Sequence, residues 1–94
     1  MPSYLVETFL ARGATDERQR RERRASEAAE ALTREGTRVR FGGSIHAPDE
    51  EICFLTFDAP SERAATLVAK RAGLAPFRVV EISASVESSR PDTP

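Results

Sequence analysis

Few side chains in this sequence combine reactive chemistry with an apolar setting. Glu7 lies between Leu5 and Phe9, in a segment that carries no other charge. A carboxylate buried among such neighbours would lose hydration, which raises its pKa and suits it to proton transfer or metal ligation. Arg40 and His46 lie further along the chain, where either side chain would serve to hold an oxyanion. We therefore predict Glu7, Arg40 and His46 as candidate catalytic residues.

A second set of side chains is predicted to line the same site and to bind a ligand. Its members are Phe9, Phe54, Thr56 and Glu81. Apolar walls with a few polar groups that orient a ligand are typical of small-molecule cavities. Alternatively, a contact between Glu7 and either Arg40 or Glu81 satisfies buried charge at an interface between two copies of the chain. The sequence leaves both interpretations open.

Six predicted elements must position these side chains. Alternation of apolar residues predicts four strands, over residues 3–10, 37–46, 52–57 and from 76 or 77 to 86. The spacing of alanine, leucine and valine predicts two helices, at about 17–35 and from Ser61 to Gly73. Asp16 is expected to cap the first helix, with Gln19 completing a capping box.

The order β-α-β-β-α-β predicts a ferredoxin-like α+β fold, a four-stranded antiparallel sheet with both helices on one face. The domain is expected to span residues 1–86, and the polar, proline-containing residues 87–94 are expected to form a flexible tail. The other face of the sheet is left bare. Since a second copy of the chain is the simplest cover for it, we predict a homodimer.

The strand register decides which side chains share the bare face, because a slip of one residue exchanges the two faces. Pairing Ile45 near Cys53 would put an apolar set under the helices: Val39, Phe41, Ile45, Cys53, Leu55 and Phe57. The bare face would then hold Arg38, Arg40, Ser44, His46, Ile52, Phe54 and Thr56, with Leu5, Glu7, Phe9, Val79, Glu81 and Ser83. Gly42 and Gly43 indicate a bulge in the second strand, or a close approach of another backbone.

His46 and Cys53 are the only histidine and the only cysteine of the chain. His46 is expected to be exposed at the end of a strand, and Cys53 is expected to be an inert thiol in the core. They show neither the CxxC nor the HxH spacing of a metal site. The single cysteine makes a cytoplasmic location the default.

The first predicted helix begins with an arginine-rich stretch, ERQRRERR, which has no apolar face. One interpretation is a solvated surface supported by the pairs Arg18–Glu22, Arg23–Glu27 and Glu30–Arg34. The other is a basic patch for phosphate or nucleic acid. Six acidic residues balance the six arginines between positions 16 and 35, which favours the first interpretation.

Composition and motifs argue against several classes of protein. Lysine and arginine number 14 against 15 acidic residues, so no overall field attracts nucleic acid or an anionic membrane. No apolar run approaches the ~20 residues of a membrane span, and the N-terminus does not resemble a signal peptide. The aromatic motif of RNA-recognition domains, a phosphate-binding loop and GxSxG are all absent.

Three segments, YLVETFL, EGTRVRFGGSIHAPDEEICFLTFDAPSE and KRAGLAPFRVVEI, resemble a family of short proteins of unknown function. That family includes small actinobacterial nickel-binding proteins. The resemblance implies a ferredoxin-like fold that pairs into a dimeric α/β barrel, with nickel as the metal of some members. The histidines that hold nickel in those members correspond here to Glu7, Thr8 and Lys70.

The sequence is compatible with two kinds of function. One is a small ligand-binding protein whose ligand is a small molecule, or nickel or another divalent metal, in a mixed apolar and charged cavity. The alternative is a cofactor-independent isomerase, cyclase or monooxygenase of the dimeric α/β barrel type that acts on an apolar molecule. Neither function requires a cofactor or a nucleic acid.

Overall fold

The computed structural model describes residues 1–82, and within them the chain forms four strands and two helices. These are β1 (Ser3–Phe9), α1 (Thr15–Arg34), β2 (Arg40–Ala47), β3 (Ile52–Asp58), α2 (Glu62–Arg71) and β4 (Arg78–Ile82). The predicted continuation of the last strand to residue 86 and the predicted tail, 87–94, lie outside the described residues. Neither described helix is long and apolar enough to cross a membrane.

The four strands form one antiparallel sheet in the order β2-β3-β1-β4, with β1 and β3 in the centre. Both helices pack on one face of this sheet, so the predicted ferredoxin-like α+β fold is confirmed. The central strands bury every second side chain, because successive side chains of a strand point to opposite faces and the helices cover only one of them. The core between sheet and helices is built from Val6, Leu55 and Phe57 on the strands and from alanines on the helices.

The two helices begin differently. Ser61 caps α2, because its side chain accepts a hydrogen bond of 3.1 Å from the backbone N–H of Ala64. The N-cap residue of α1 is Ala14, which has no capping side chain, so the predicted capping box of Asp16 and Gln19 is wrong. Asp16 lies instead in the first turn of α1, where a carboxylate still interacts favourably with the helix dipole.

A β-bulge between Phe41 and Gly43 sets the register of β2. Phe41 pairs with Phe57, as expected, but beyond the bulge His46 pairs with Cys53 and Ile45 with Phe54. The predicted pairing of Ile45 with Cys53 is therefore wrong by one residue, because one extra residue in the bulged strand reverses the faces of all later side chains. Ile45 lies on the bare face and is 60% exposed.

The register of β4 corrects a second expectation. Glu81 pairs with Tyr4 and Val79 with Val6, so both belong to the face that the helices cover. The side chains that β4 contributes to the bare face are Arg78, Val80 and Ile82, which pair with Glu7, Leu5 and Ser3. Ser83, predicted to share a face with Glu81, lies outside the described residues.

Candidate functional site

The bare face of the sheet, called here the open face, carries mainly apolar side chains in transverse rows. One row crosses the centre of the sheet and consists of Arg78, Glu7, Phe54 and Ile45. Val80, Leu5, Thr56 and Gly43 form the row on one side of it, and Phe9, Ile52 and Ala47 form the row on the other. The charge of the central row is therefore surrounded by hydrocarbon.

Glu7 and Arg78 form an ion pair in this central row. The Arg78 guanidinium donates from Nη2 at 2.8 Å and from Nε at 3.2 Å, both to Oε2 of Glu7. Only 14% of the Glu7 side chain is exposed, whereas 66% of the Arg78 side chain is exposed. The backbone N–H of Phe77 donates to the Glu7 carbonyl at 3.0 Å, which fixes the start of β4 beside Glu7. The pair thus has a fixed position on the open face.

Four of the seven predicted site residues share this region with Arg78: Glu7, Phe9, Phe54 and Thr56. Arg40 also lies on the open face, but it pairs with Asp58 at 3.0 Å. The Arg40–Asp58 row is level with Ser3, four residues along β1 from Glu7 and about 13 Å away. Glu7 and Arg40 of one chain are therefore not in contact.

The other two predicted site residues lie on the face beneath the helices. Glu81 is there because of the register of β4, so its predicted position on the bare face is wrong, and Glu7 and Glu81 of one chain are not in contact. His46 is there because of the bulge, and its Nε2 lies 3.4 Å from the carbonyl oxygen of Leu10. It is only partly buried and lies next to Cys53. His46 therefore does not face Glu7 across the sheet.

Cys53 is fully buried, so the prediction of a core cysteine is confirmed. Burial raises the pKa of its thiol, although Arg18 and Arg21 act in the opposite direction. Burial likewise raises the pKa of the Tyr4 phenol, with smaller contributions from the negative charges of Glu81 and Glu62. Both groups are held in their neutral forms.

Sequence reasoning missed Arg78 and the role of the arginines of α1. Arg21 donates at 3.0 Å to Thr8 Oγ1 and at 2.7 Å to the Phe9 carbonyl at the end of β1. Arg18 donates to the side chain and carbonyl of Ser44 in β2, at 3.0 and 3.1 Å. Arg21 and Arg18 lie four and seven residues before the buried Ala25, so they are on the same face of α1 as the buried alanines. This spacing is the signal that could have identified them.

Glu17, in the first turn of α1, is the carboxylate that pairs with Arg21. Glu17 accepts from Arg21 at 2.8 Å and from Arg20 at 3.2 Å. The hydrogen bond from Arg21 is the main cause that lowers the pKa of Glu17 below its ordinary value. Of the predicted i,i+4 pairs, Arg18–Glu22 is present at 3.8 Å. The arginine-rich start of α1 is therefore partly a docking surface for the sheet.

The three residues at the positions matched to nickel ligands by the resemblance do not lie together in this chain. Glu7 lies on the open face, Thr8 lies beneath the helices and accepts from Arg21, and Lys70 is exposed on α2. Within residues 1–82, no three side chains of histidine, cysteine, aspartate or glutamate lie close enough together to hold a metal ion. Glu7, Thr8 and Lys70 thus lie on three separate surfaces of the chain.

Comparison with known proteins supports the fold. The sequence matches no known family model and no curated protein significantly. Among solved structures, the crystal structure of SCO4226 from Streptomyces coelicolor A3(2) is similar, with a TM-score of 0.62 and 20% sequence identity. The similarity covers 85% of this chain and 94% of that chain. At this level of identity, it establishes that the two chains share a fold.

Proposed function

We propose that this protein binds a small, neutral, mainly apolar molecule on the open face, in a space that a second copy of the chain closes. The observation that carries this proposal is the Glu7–Arg78 pair, which has a fixed position on a mainly apolar surface. A few polar groups among apolar walls are the usual composition of a small-molecule site. The pair would orient the ligand, and the surrounding side chains would exclude water.

The open face itself supports the homodimer. Phe9 and Ile45 are large, apolar and exposed there, with Leu5, Ile52, Phe54, Val80 and Ile82 half-buried around them. An apolar surface of this kind favours association, and a two-fold axis allows the same surface to cover itself. The central ion pairs of the two copies would then lie inside the closed space.

The chemistry of the pair favours a neutral ligand. Both hydrogen bonds from Arg78 end on Oε2 of Glu7, and Oε1 accepts none from the described residues. Oε1 therefore offers an acceptor to a ligand hydroxyl, while the remaining N–H groups of Arg78 offer donors to a ligand oxygen. Since the charges of the pair cancel, a charged ligand would leave one charge uncompensated in the closed space.

The geometry favours binding over the enzymatic alternative. An isomerase, cyclase or monooxygenase with Glu7 as the proton-transfer group was expected to hold the oxyanion with Arg40 or His46. Arg40 is engaged by Asp58, and His46 lies on the opposite face of the sheet. Arg78 is the cation beside Glu7, and it is engaged by the carboxylate itself.

The homodimer is tested by the solution mass of the native chain and two variants. Ile45→Glu introduces a charge on the open face, and because Ile45 is exposed there the fold should be retained. Leu67→Glu is the matched control, since Leu67 is an exposed apolar residue of α2. Light scattering should give a dimer for the native chain and for Leu67→Glu, and a monomer for Ile45→Glu. A native monomer would contradict the proposal.

The ligand class is tested with 2-naphthol, a neutral aromatic alcohol, followed by amide chemical shifts. The shifts should fall on β1, β3 and β4 near Glu7 and Phe54. Glu7→Gln should weaken binding by about tenfold or more, because it removes a charge-assisted hydrogen bond. Glu62→Gln, on α2, is the control and should bind normally. Unchanged binding by Glu7→Gln would place the site elsewhere.

Nickel is outside this proposal because no three metal-binding side chains lie close together within residues 1–82. Calorimetric titration of tag-free protein with Ni²⁺, Zn²⁺ and Cu²⁺ should therefore show no stoichiometric binding. A stoichiometric heat that Glu7→Gln removes would instead establish Glu7 as a metal ligand, contrary to the proposal.

A further inference from the structure

A groove of about 900 Å³ lies at the β2 edge of the sheet, where it meets the open face at the Arg40–Asp58 row. It runs between the C-terminal half of α1 and the chain that enters β2. Its apolar floor consists of Ala29, Val39 and Phe41, and the arginines on its rim are Arg34, Arg38 and Arg40. The groove therefore combines an apolar surface with a positively charged margin.

Two contacts hold the floor of the groove in place. The Thr33 hydroxyl of α1 donates to the Val39 carbonyl and accepts from the Val39 N–H, both at 3.0 Å. Phe41 packs on Phe57 with ring centroids 5.4 Å apart. Phe41 pairs with the helix-facing Phe57 before the bulge, so its side chain is directed toward the helices. The floor is thus formed before any ligand arrives.

The charges of the rim are unevenly compensated. Arg40 is paired with Asp58 at 3.0 Å. Arg34 and Arg38 form no ion pair with any residue from 1 to 82. Glu30 and Asp58 are the carboxylates on the lining, so three arginines face two acids. Arg34 and Arg38 therefore leave positive charge on the rim that is suited to an anion.

We propose that this groove binds a small molecule made of an apolar body and one carboxylate. The body lies on Ala29, Val39 and Phe41, and the carboxylate is held by Arg34 and Arg38. Guanidinium groups match the planar geometry of a carboxylate and form strong, charge-assisted hydrogen bonds with it. This site is separate from the one proposed around Glu7. The groove shares Arg40 and Asp58 with the edge of the open face, but neither Glu7, Arg78 nor Phe54 lines it.

The test uses 2-naphthoate as the probe on the full chain, with amide chemical shifts to locate it and a titration to give its affinity. Shifts should concentrate between residues 29 and 41. Arg34→Ala combined with Arg38→Ala should weaken binding by about tenfold or more, as should replacing the probe by the neutral 2-naphthamide. The amide spectrum of the variant reports at once whether its fold is intact.

The matched control combines Arg23→Ala with Arg63→Ala, which removes the same charge from exposed positions outside the groove. It should bind 2-naphthoate like the native chain. Glu7→Gln should also bind 2-naphthoate normally, so failure of the open-face site and failure of the groove are distinguishable. No shifts in residues 29–41 at the solubility limit of the probe, or equal affinity in the groove and control variants, would overturn the proposal.

Discussion

Phe41 and Ser44 are three residues apart in one strand, yet both side chains lie on the face beneath the helices. Phe41 is opposite Phe57 and Ser44 is opposite Leu55, two helix-facing residues of β3. In a regular strand an odd separation places two side chains on opposite faces. The bulge between them absorbs one residue, and it thereby moves His46 beneath the helices and Ile45 onto the open face.

The two glycines of the bulge should resist substitution for different reasons. A Cβ at Gly42 would lie 2.7 Å from Oγ1 of Thr56, whereas Gly43 has open space but a φ of +124°. Each alanine variant should lose about 1–3 kcal/mol of unfolding free energy, by overpacking at Gly42 and by backbone strain at Gly43. Chemical denaturation gives both values.

A double-mutant cycle separates the two causes. Thr56→Ala removes the atom that the new Cβ would meet, so it should recover much of the loss at Gly42 and none of the loss at Gly43. Equal recovery at both positions would show that the proposed distinction between crowding and strain is incorrect.

The fold was predictable from sequence because its signals are local and repeated. Alternation in β1 and β3, and the glycines at the ends of the two helices, each specify an element independently of the others. The register of β2 was not predictable in this way. Gly42 and Gly43 indicated a bulge, but the residues beyond it alternate between apolar and polar, and no local signal says which residue is extra.

Arg21 should contribute more to stability than its neighbour Arg20. The Arg21 side chain is 17% exposed and donates to Glu17, Thr8 and the Phe9 carbonyl. Arg21→Ala should cost about 2–3 kcal/mol. Charge-assisted hydrogen bonds are lost, and the partly buried Glu17 and the buried Thr8 are left without this donor. Thermal or chemical denaturation checks the value.

Arg20→Ala is the control for this comparison, because the Arg20 side chain is 55% exposed and contacts only Glu17 among the described residues. Its expected cost is within about 0.5 kcal/mol. Arg21→Lys should recover little, since an ammonium cannot reproduce the three directions in which the guanidinium donates. Equal losses for Arg20→Ala and Arg21→Ala would contradict the docking role.

Glu7 and Arg78 should be energetically coupled. Arg78→Ala leaves the Glu7 carboxylate, which is 14% exposed, without its partner. The substitution should therefore destabilise the native chain more than it destabilises the Glu7→Gln variant. A coupling energy of about 1 kcal/mol is expected, at the upper end for ion pairs because Glu7 is mostly removed from water. The four unfolding free energies of the cycle measure it, and zero coupling would contradict the prediction.

The position of Glu7 on the open face followed from alternation in β1, but its partner did not follow from the sequence. Arg78 and Glu81 are both in β4 and differ by an odd number of residues, so only one of them can share a face with Glu7. The pairing of Tyr4 with Glu81 decides this, and no residue of β4 signals it. The sequence thus predicted the face on which Glu7 lies and missed Arg78 as its partner in the ion pair.

Acid should destabilise the fold through Asp58. The Ser3 hydroxyl donates to this carboxylate at 2.6 Å and is the main cause that lowers its pKa below the ordinary 3.8, with Arg40 contributing next. Below pH 3.8 the unfolded chain binds the proton more readily than the folded chain does, so the free energy of unfolding falls as the pH decreases through the lowered pKa. Above that range the contribution is fully present.

Denaturation between pH 2 and pH 6, roughly the range over which carboxylates titrate, measures this dependence. Ser3→Ala should flatten it more than Arg40→Ala, because the serine hydrogen bond is the larger cause. Arg63→Ala, at an exposed position of α2, controls for the loss of one positive charge. If Arg40→Ala flattens the dependence more than Ser3→Ala, then the ion pair rather than the hydrogen bond holds Asp58 ionised, and the edge of the sheet at β2 is stabilised by charge.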